Sequence, residues 1–102
     1  MRIERLLTQE AMIEPFLKEA NGDLFYGPTE YRKCRLETGL DISIGKGSAG
    51  VVDQERASAL MFTVGERIPD RSVVTVDGQK MTVIRCREMR GFKKSHLEVY
   101  LE

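Results

Sequence analysis

The stretch that decides the fold is residues 72–87, SVVTVDGQKMTVIRCR. Two β-branched runs flank Asp77-Gly78, a pair that accepts positive φ at both central positions of a two-residue type I′ turn. Apolar and polar residues alternate in each run, which is the period of a strand that buries one face. The stretch therefore predicts an antiparallel hairpin, with Val83 facing a core.

The period of two continues on both sides of this hairpin. Further short strands are predicted at residues 24–26, 31–37, 42–44, 57–64 and 97–101. Several short strands without intervening helices indicate an antiparallel sheet, and such a sheet has to cover its edges. A small β-sandwich or barrel is the simplest arrangement that does so.

The first twenty residues follow a different pattern. Apolar residues recur there at intervals of three and four, which predicts a helix that ends at Asn21-Gly22. Pro15 either kinks this helix or lies in the first turn of a second short one. We therefore expect one domain over residues 1–102, of the α+β class but mainly β. In it, a helical segment at 1–21 packs on a β-sandwich or barrel formed by 23–102.

The composition is that of one compact globular domain. The chain has 102 residues, of which 41% are hydrophobic and 31% charged, with 16 Lys/Arg and 16 Asp/Glu. No apolar run approaches the ~20 residues of a membrane span. Charge is uneven, with a net of −3 over residues 1–31 and +3 over 80–102. This asymmetry is either ordinary surface scatter or an attraction between copies in a head-to-tail ring.

No metal or cofactor site is predicted. Cys34 and Cys86 lie 52 positions apart without C-x-x-C spacing, and the chain has a single His, which argues against zinc. The N-terminal stretch MRIERLLTQEAMIEPF lacks the apolar region of a signal peptide. We therefore expect a cytoplasmic chain with both thiols free.

Two sequence patterns are of the kind found in enzymes, but each lacks a part that the chemistry requires. ISIGKGSAG at residues 42–50 contains G-x-G-x-x-G, but hairpin sequence follows it where a dinucleotide fold needs a βαβ unit. The pattern instead predicts a flexible loop near residues 45–56. His96 and Glu98 share one face of the last strand, but the sequence supplies no nucleophile beside them. We expect no catalytic residues and no enzyme.

The second half carries a resemblance. Residues 68–102, IPDRSVVTVDGQKMTVIRCREMRGFKKSHLEVYLE, resemble the C-terminal hairpins of small head–tail joining or tail-completion proteins of tailed phages and prophages. The shared features are a Pro and small loop, a V-x-V-D-G hairpin, a Gly-containing turn and a final V-x-L strand. Gly22-Asp23, Phe25-Tyr26 and the strand at 31–37 resemble the family's opening. Some prophage members bear an ATP-binding sugar-transporter label. The sequence does not support it, because Gly39 and Gly45 enclose five residues where a phosphate loop has four, and Gly47 follows Lys46 where that loop has Ser or Thr.

The resemblance implies a structural protein that assembles as a ring at the junction of capsid and tail. Its partners would be connector or tail proteins and copies of itself. The isolated chain would be a monomer, and it would bind neither membranes nor, stably, nucleic acid. It would lie in the host cytoplasm during assembly and in the virion afterwards. Charged residues in the glycine-rich segment and near the last hairpin are the candidate assembly interface: Lys46, Asp53, Glu55, Arg56, Arg87, Arg90, Lys93 and Lys94.

Two other functions remain open at this point. The basic hairpin 85–94 would suit a small nucleic-acid-binding β-barrel, although Phe92 is the one aromatic residue near it. A nucleotide-binding module would use residues 45–50. Salt-sensitive binding to DNA would favour the nucleic-acid-binding barrel, and nucleotide binding in calorimetry would favour the nucleotide-binding module. Genomic neighbours that encode portal, capsid and tail proteins would favour the assembly function.

Overall fold

A computed structural model describes residues 6–48, 51–90 and 95–102, and at 45–48 and 51–54 it describes the backbone alone. The strands in this part of the chain are, in order, β1 (Gln9–Glu14), β2 (Phe16–Ala20), β3 (Asp23–Tyr26), β4 (Glu30–Glu37), β5 (Ile42–Ser48), β6 (Val51–Ala57), β7 (Ala59–Thr63), β8 (Val73–Val76), β9 (Gln79–Arg90) and β10 (Ser95–Leu101).

Six of these strands form a closed antiparallel barrel. Their order around it is β1-β4-β7-β10-β9-β8, and β8 pairs back onto β1. The other four form two separate hairpins, β2–β3 and β5–β6. One hairpin is inserted between β1 and β4 and the other between β4 and β7, so they are attached at opposite ends of β4. The prediction of a mainly β, barrel-like fold is confirmed.

The predicted N-terminal helix is wrong. Residues 9–20 form β1 and β2, and no α-helix occurs anywhere in the described residues. In β1, Ala11 and Ile13 are fully buried while their neighbours face outward, which is a period of two. The pairing of β1 with β4 and β8 satisfies its backbone on both sides, and this tertiary gain overrides a local helical pattern.

The barrel interior is the core. It is filled by inward-facing residues of all six strands, most of them aliphatic: Ala11, Ile13, Cys34, Ala59, Met61, Val74, Val76, Met81, Val83, Cys86, Leu97, Val99 and Leu101. Ile68, in the connection between β7 and β8, joins the same cluster. Val83 is 1% exposed, which confirms the predicted face of its strand.

Two turns of the same type join hairpin strands. Asp77 and Gly78 have φ values of 50° and 79° between the paired residues Val76 and Gln79, which confirms the predicted type I′ hairpin. Asn21 and Gly22 have φ values of 53° and 82° and join β2 to β3 in the same way. Asn-Gly is therefore a hairpin turn here, and its interpretation as a helix end is wrong.

The segment predicted as a loop near 45–56 is largely a hairpin. β5 and β6 pair in continuous register from Ile42 opposite Ala57 to Ser48 opposite Val51, with residues 49 and 50 outside the described part. Ile44 and Ala57 are buried where the hairpin joins the barrel. The predicted strands at 42–44 and 57–64 correspond to the start of β5 and to β7. The mobility of this segment stays a prediction.

Across the described ranges, no helix has the length and hydropathy needed to cross a membrane.

Gly78→Val should destabilise the protein by roughly 1–3 kcal/mol, because a β-branched residue resists the φ of +79° that the turn needs. No atom lies within 4 Å of an added Cβ, so the cost is conformational rather than steric. Urea denaturation measures it. Gly78→Asn is the matched control and should lose clearly less, since Asn tolerates positive φ. Equal stability of the Val variant and the wild type would contradict the assigned turn.

Val83→Asp should unfold the protein, because an unpaired carboxylate buried in the barrel costs several kcal/mol against a total stability of ~5–15 kcal/mol. Thr82→Asp introduces the same group one residue earlier, on the exposed side of β9, and should fold. Circular dichroism melts compare the two variants. Similar melting temperatures would show that the faces of β9 are assigned wrongly.

Candidate assembly interface

Four of the predicted interface residues belong to the β5–β6 hairpin. Lys46 and Asp53 are register partners in it, and their side chains lie outside the described atoms. Glu55 pairs in register with the buried Ile44. The Arg56 guanidinium lies 3.4 Å from the Asp41 carboxylate, and both side chains are largely exposed. The base of this hairpin therefore carries paired charges at the surface.

An open groove of about 470 Å³ lies beside the base of this hairpin. Its lining combines charged side chains with residues of β9: Glu55, Arg56, Asp70, Arg71, Thr82, Val83, Ile84 and Glu102. Both Arg and acidic residues line it, so it does not concentrate one sign of charge. Such a surface fixes the orientation of a charged partner more than it provides affinity.

The other predicted residues belong to the end of β9. The Arg87 guanidinium carbon lies 5.4 Å from the centre of the Tyr100 ring, and Arg87 pairs in register with Glu98 on β10. Arg90 is highly exposed, with its Nε 3.8 Å from the Glu88 carboxylate. The predictions at Lys93 and Lys94 lie outside the described residues.

The predicted interface therefore divides into two groups. Lys46, Asp53, Glu55 and Arg56 belong to the two-stranded β5–β6 sheet, and Arg87 and Arg90 belong to the barrel. Exposed ion pairs of this kind contribute ~0–1 kcal/mol each. Charge alone can orient a partner here, and affinity has to come from apolar surface.

Sequence reasoning missed an apolar surface on the β2–β3 hairpin. Leu17 is 62% exposed, and Leu24 and Phe25 are each 44% exposed. Large exposed apolar residues grouped on one element mark contact surfaces. The signal that would have revealed this hairpin is Asn21-Gly22 between two short apolar stretches, which is a hairpin pattern.

Arg71 contacts both the β2–β3 hairpin and the barrel. Its guanidinium lies 2.6 Å from the Glu19 carboxylate and 4.6 Å from the centre of the Phe16 ring, while its backbone N–H donates to the Val83 carbonyl. Arg71 also has a φ of 74°, which is uncommon for a residue with a side chain. The Phe16 N–H donates to the buried Ser72 hydroxyl at 2.9 Å. The hairpin is therefore held in one orientation.

A second, smaller groove of about 230 Å³ lies on the outer wall of the barrel. It is lined by Leu6, Arg35, Glu37, Phe62 and His96. The His96 and Phe62 rings are 6.3 Å apart, and Arg35 and Phe62 are register partners on β4 and β7. His96 and Glu98 alternate with the buried Leu97 and Val99, which confirms the predicted shared face.

The two thiols are buried in the core and do not form a disulfide. Burial raises the pKa of Cys34 to about 11, and the Asp77 carboxylate adds to this. Burial also raises the pKa of Cys86, although Arg67 and Arg32 act against it. Both thiols are protonated at neutral pH, which is typical of structural rather than reactive cysteines. The described residues hold no group of three or more metal-ligating side chains.

Comparisons with protein-family models, with curated proteins and with solved structures found no significant match to this chain.

The free energy of unfolding should fall between pH 9 and about pH 11, because the unfolded thiol of Cys34 ionises near its ordinary pKa of 9.0 while the folded one keeps its proton to about 11. The stabilisation is complete below pH 9 and is lost as pH rises through the folded pKa. Urea titrations across this range measure it. Cys34→Ala should be less stable at neutral pH but show a flatter profile, and an unchanged slope would contradict the assignment.

Proposed function

We propose that this chain is a structural virion-assembly protein of a tailed phage or prophage, which joins head and tail or completes the tail as a ring. The observation that carries this is the combination of a closed barrel with two hairpins that pair only with themselves. The resemblance of residues 68–102 to head–tail joining proteins gives the proposal its biological setting.

The barrel and the hairpins have different capacities for contact. Each barrel strand is paired on both sides within the described residues, so none of them accepts an additional strand. In contrast, β2, β3, β5 and β6 each have one neighbour, and an open strand edge is a template for pairing with another chain. Assembly through the hairpins therefore leaves the barrel intact as a rigid scaffold.

The β5–β6 hairpin is the element that we assign to the neighbouring ring. In continuous pairing it is seven residues long on each side, so at roughly 3.3 Å per residue it reaches about 20 Å from its base. Lys46 and Asp53 near its tip and Glu55 and Arg56 at its base would set the register on connector or tail proteins. The chain acts by contact and needs no catalytic residue or cofactor.

A nucleic-acid-binding barrel is the second candidate. The observation in its favour is that Arg85 and Arg87 share one face of β9, with a third arginine, Arg90, at the end of the strand. However, Arg87 pairs in register with Glu98, and Arg90 lies beside Glu88, which reduces the positive field that phosphates require. Binding to DNA that weakens steeply with salt would favour this function over assembly.

Replacement of residues 46–53 by a Gly-Ser turn tests the assembly function. The change keeps Ile44 and Ala57, which are buried, so the melting temperature should stay nearly the same. In a phage that encodes the chain, heads and tails should form but stay unjoined in electron micrographs. The matched control keeps the hairpin and replaces Lys46 and Asp53 by Ala, which should lower the titre less.

Infectious particles at the parental titre with the shortened hairpin would contradict the role of β5–β6 in joining. Normal particles from a phage that lacks the whole chain would contradict the proposed function itself.

A further inference from the structure

We infer that Asn21, in the turn between β2 and β3, is a modification site at which the side-chain amide is lost and isoaspartate forms, and that this product loosens the β2–β3 hairpin and leaves the barrel closed. The reaction needs water and no enzyme. The inference goes beyond the proposed joining of head and tail and does not depend on it.

The turn is one rotation away from the geometry that the reaction requires. The Gly22 nitrogen has to attack the side-chain carbonyl carbon of Asn21, and a ψ of about −120° at Asn21 brings that nitrogen beside its Cβ. A type II′ turn has a φ of about +60° and a ψ of about −120° at its first central residue. Asn21 already has a φ of 53°. Rotation of the peptide group between Asn21 and Gly22 therefore converts the observed type I′ turn into the reactive one.

Gly22 and its surroundings permit this rotation. The φ of Gly22 would change from 82° to about −80°, and glycine adopts both values readily. Both turn residues are exposed, and no atom lies within 4 Å of a Cβ placed on Gly22. In the described part of the chain, the Gly22 N–H donates no turn hydrogen bond. Both turn types connect the strands through two residues, so Ala20 stays opposite Asp23 during the rotation.

The chemistry balances with water as the one co-reactant. The Gly22 nitrogen gives its proton to a water or hydroxide and bonds to the Asn21 Cγ. The bond from Cγ to the side-chain nitrogen breaks, and that nitrogen takes a proton from water and leaves as ammonia. Water then adds to one of the two carbonyl carbons of the five-membered imide. Cleavage of the new bond gives aspartate at position 21, and cleavage of the original peptide bond gives isoaspartate.

The second turn of the same type provides a contrast within the chain. Asp77 has the same place in the β8–β9 turn and a φ of 50°, but its carboxylate is a poorer electrophile than an amide and has a poorer leaving group. Its Oδ2 also accepts a hydrogen bond from the Gln9 Nε2 at 2.9 Å. The Asn21 side chain has no hydrogen bond to any residue that the structure describes. Asn21 is also the one asparagine in the sequence.

Isoaspartate changes the hairpin more than the barrel. It adds a methylene group to the main chain of a two-residue turn, and the turn then no longer matches the twist of its strands. It also adds a negative charge two positions from Glu19 and two from Asp23. Each of β2 and β3 has one neighbouring strand, whereas every barrel strand has two. The product therefore weakens the pairing of β2 with β3 and leaves the barrel strands paired.

Peptide mass spectrometry of protein kept warm at neutral pH for several weeks tests the site. Trypsin releases peptide 19–32, which contains Asn21, and peptide 72–80, which contains Asp77. In the folded protein, the 19–32 segment should convert at no less than about a hundredth of the rate of the free peptide, because opening an exposed turn costs little free energy. It should also gain isoaspartate at least about tenfold faster than the 72–80 segment. Slower conversion in either comparison would overturn the inference.

Asn21→Gly is the matched control for the site. It removes the reactive amide and keeps a two-residue turn that accepts positive φ, so peptide 19–32 should keep its mass over the same period. A mass increase in this variant would place the reaction at another residue.

Hydrogen exchange of the purified isoaspartate form tests the effect on the hairpin. Amides of β2 and β3 should exchange at least about tenfold faster than in fresh protein, while those of β9 and β10 keep their rates. Freshly purified Asn21→Asp adds the charge without the extra methylene group, and its hairpin amides should stay within about twofold of the wild type. Unchanged exchange in the isoaspartate form, or faster exchange in β9 and β10, would contradict loosening of the hairpin alone. The β5–β6 replacement tests the proposed function separately, and its outcome does not depend on any of these results.

Discussion

The structure depends on the pairing of β1 with β4 on one side and β8 on the other. Ala11 lies opposite Arg32 and Val76, and this double register closes the sheet. Without β1, β4 and β8 would both be edge strands, and the interior would be open to water along the gap. Closure satisfies backbone groups and buries Ala11 and Ile13 in the same step, which is why a segment with helical spacing is extended here.

The sequence predicted the parts of the fold that depend on local patterns. The Asp77-Gly78 turn and the alternation in β10 follow from neighbouring residues. The first twenty residues could not be assigned in this way, because Phe16 matches a helical stripe and its actual environment is set by Arg71, more than fifty positions away. Asn21-Gly22 was the available sign of a hairpin.

The candidate interface was predicted less completely than the fold. Arg56 and Arg87 could be identified as surface charges, but sequence could not show that one belongs to a hairpin and the other to the barrel wall. The apolar surface at Leu17 and Phe25 was missed because apolar residues at helical spacing are normally interpreted as core. The exposed fraction of a side chain depends on the tertiary structure, and here that structure places these residues at the surface rather than in the core.

Native-state amide hydrogen exchange measures whether β1 closes the barrel and whether the two hairpins open independently of it. Amides of β1 should exchange as slowly as those of β9 and β10, through global unfolding alone. Amides of β2–β3 and β5–β6 should exchange faster, through local opening. Exchange of the β1 amides at the rate of the hairpins would contradict closure, and the scaffold on which the assembly surfaces depend would then be wrong.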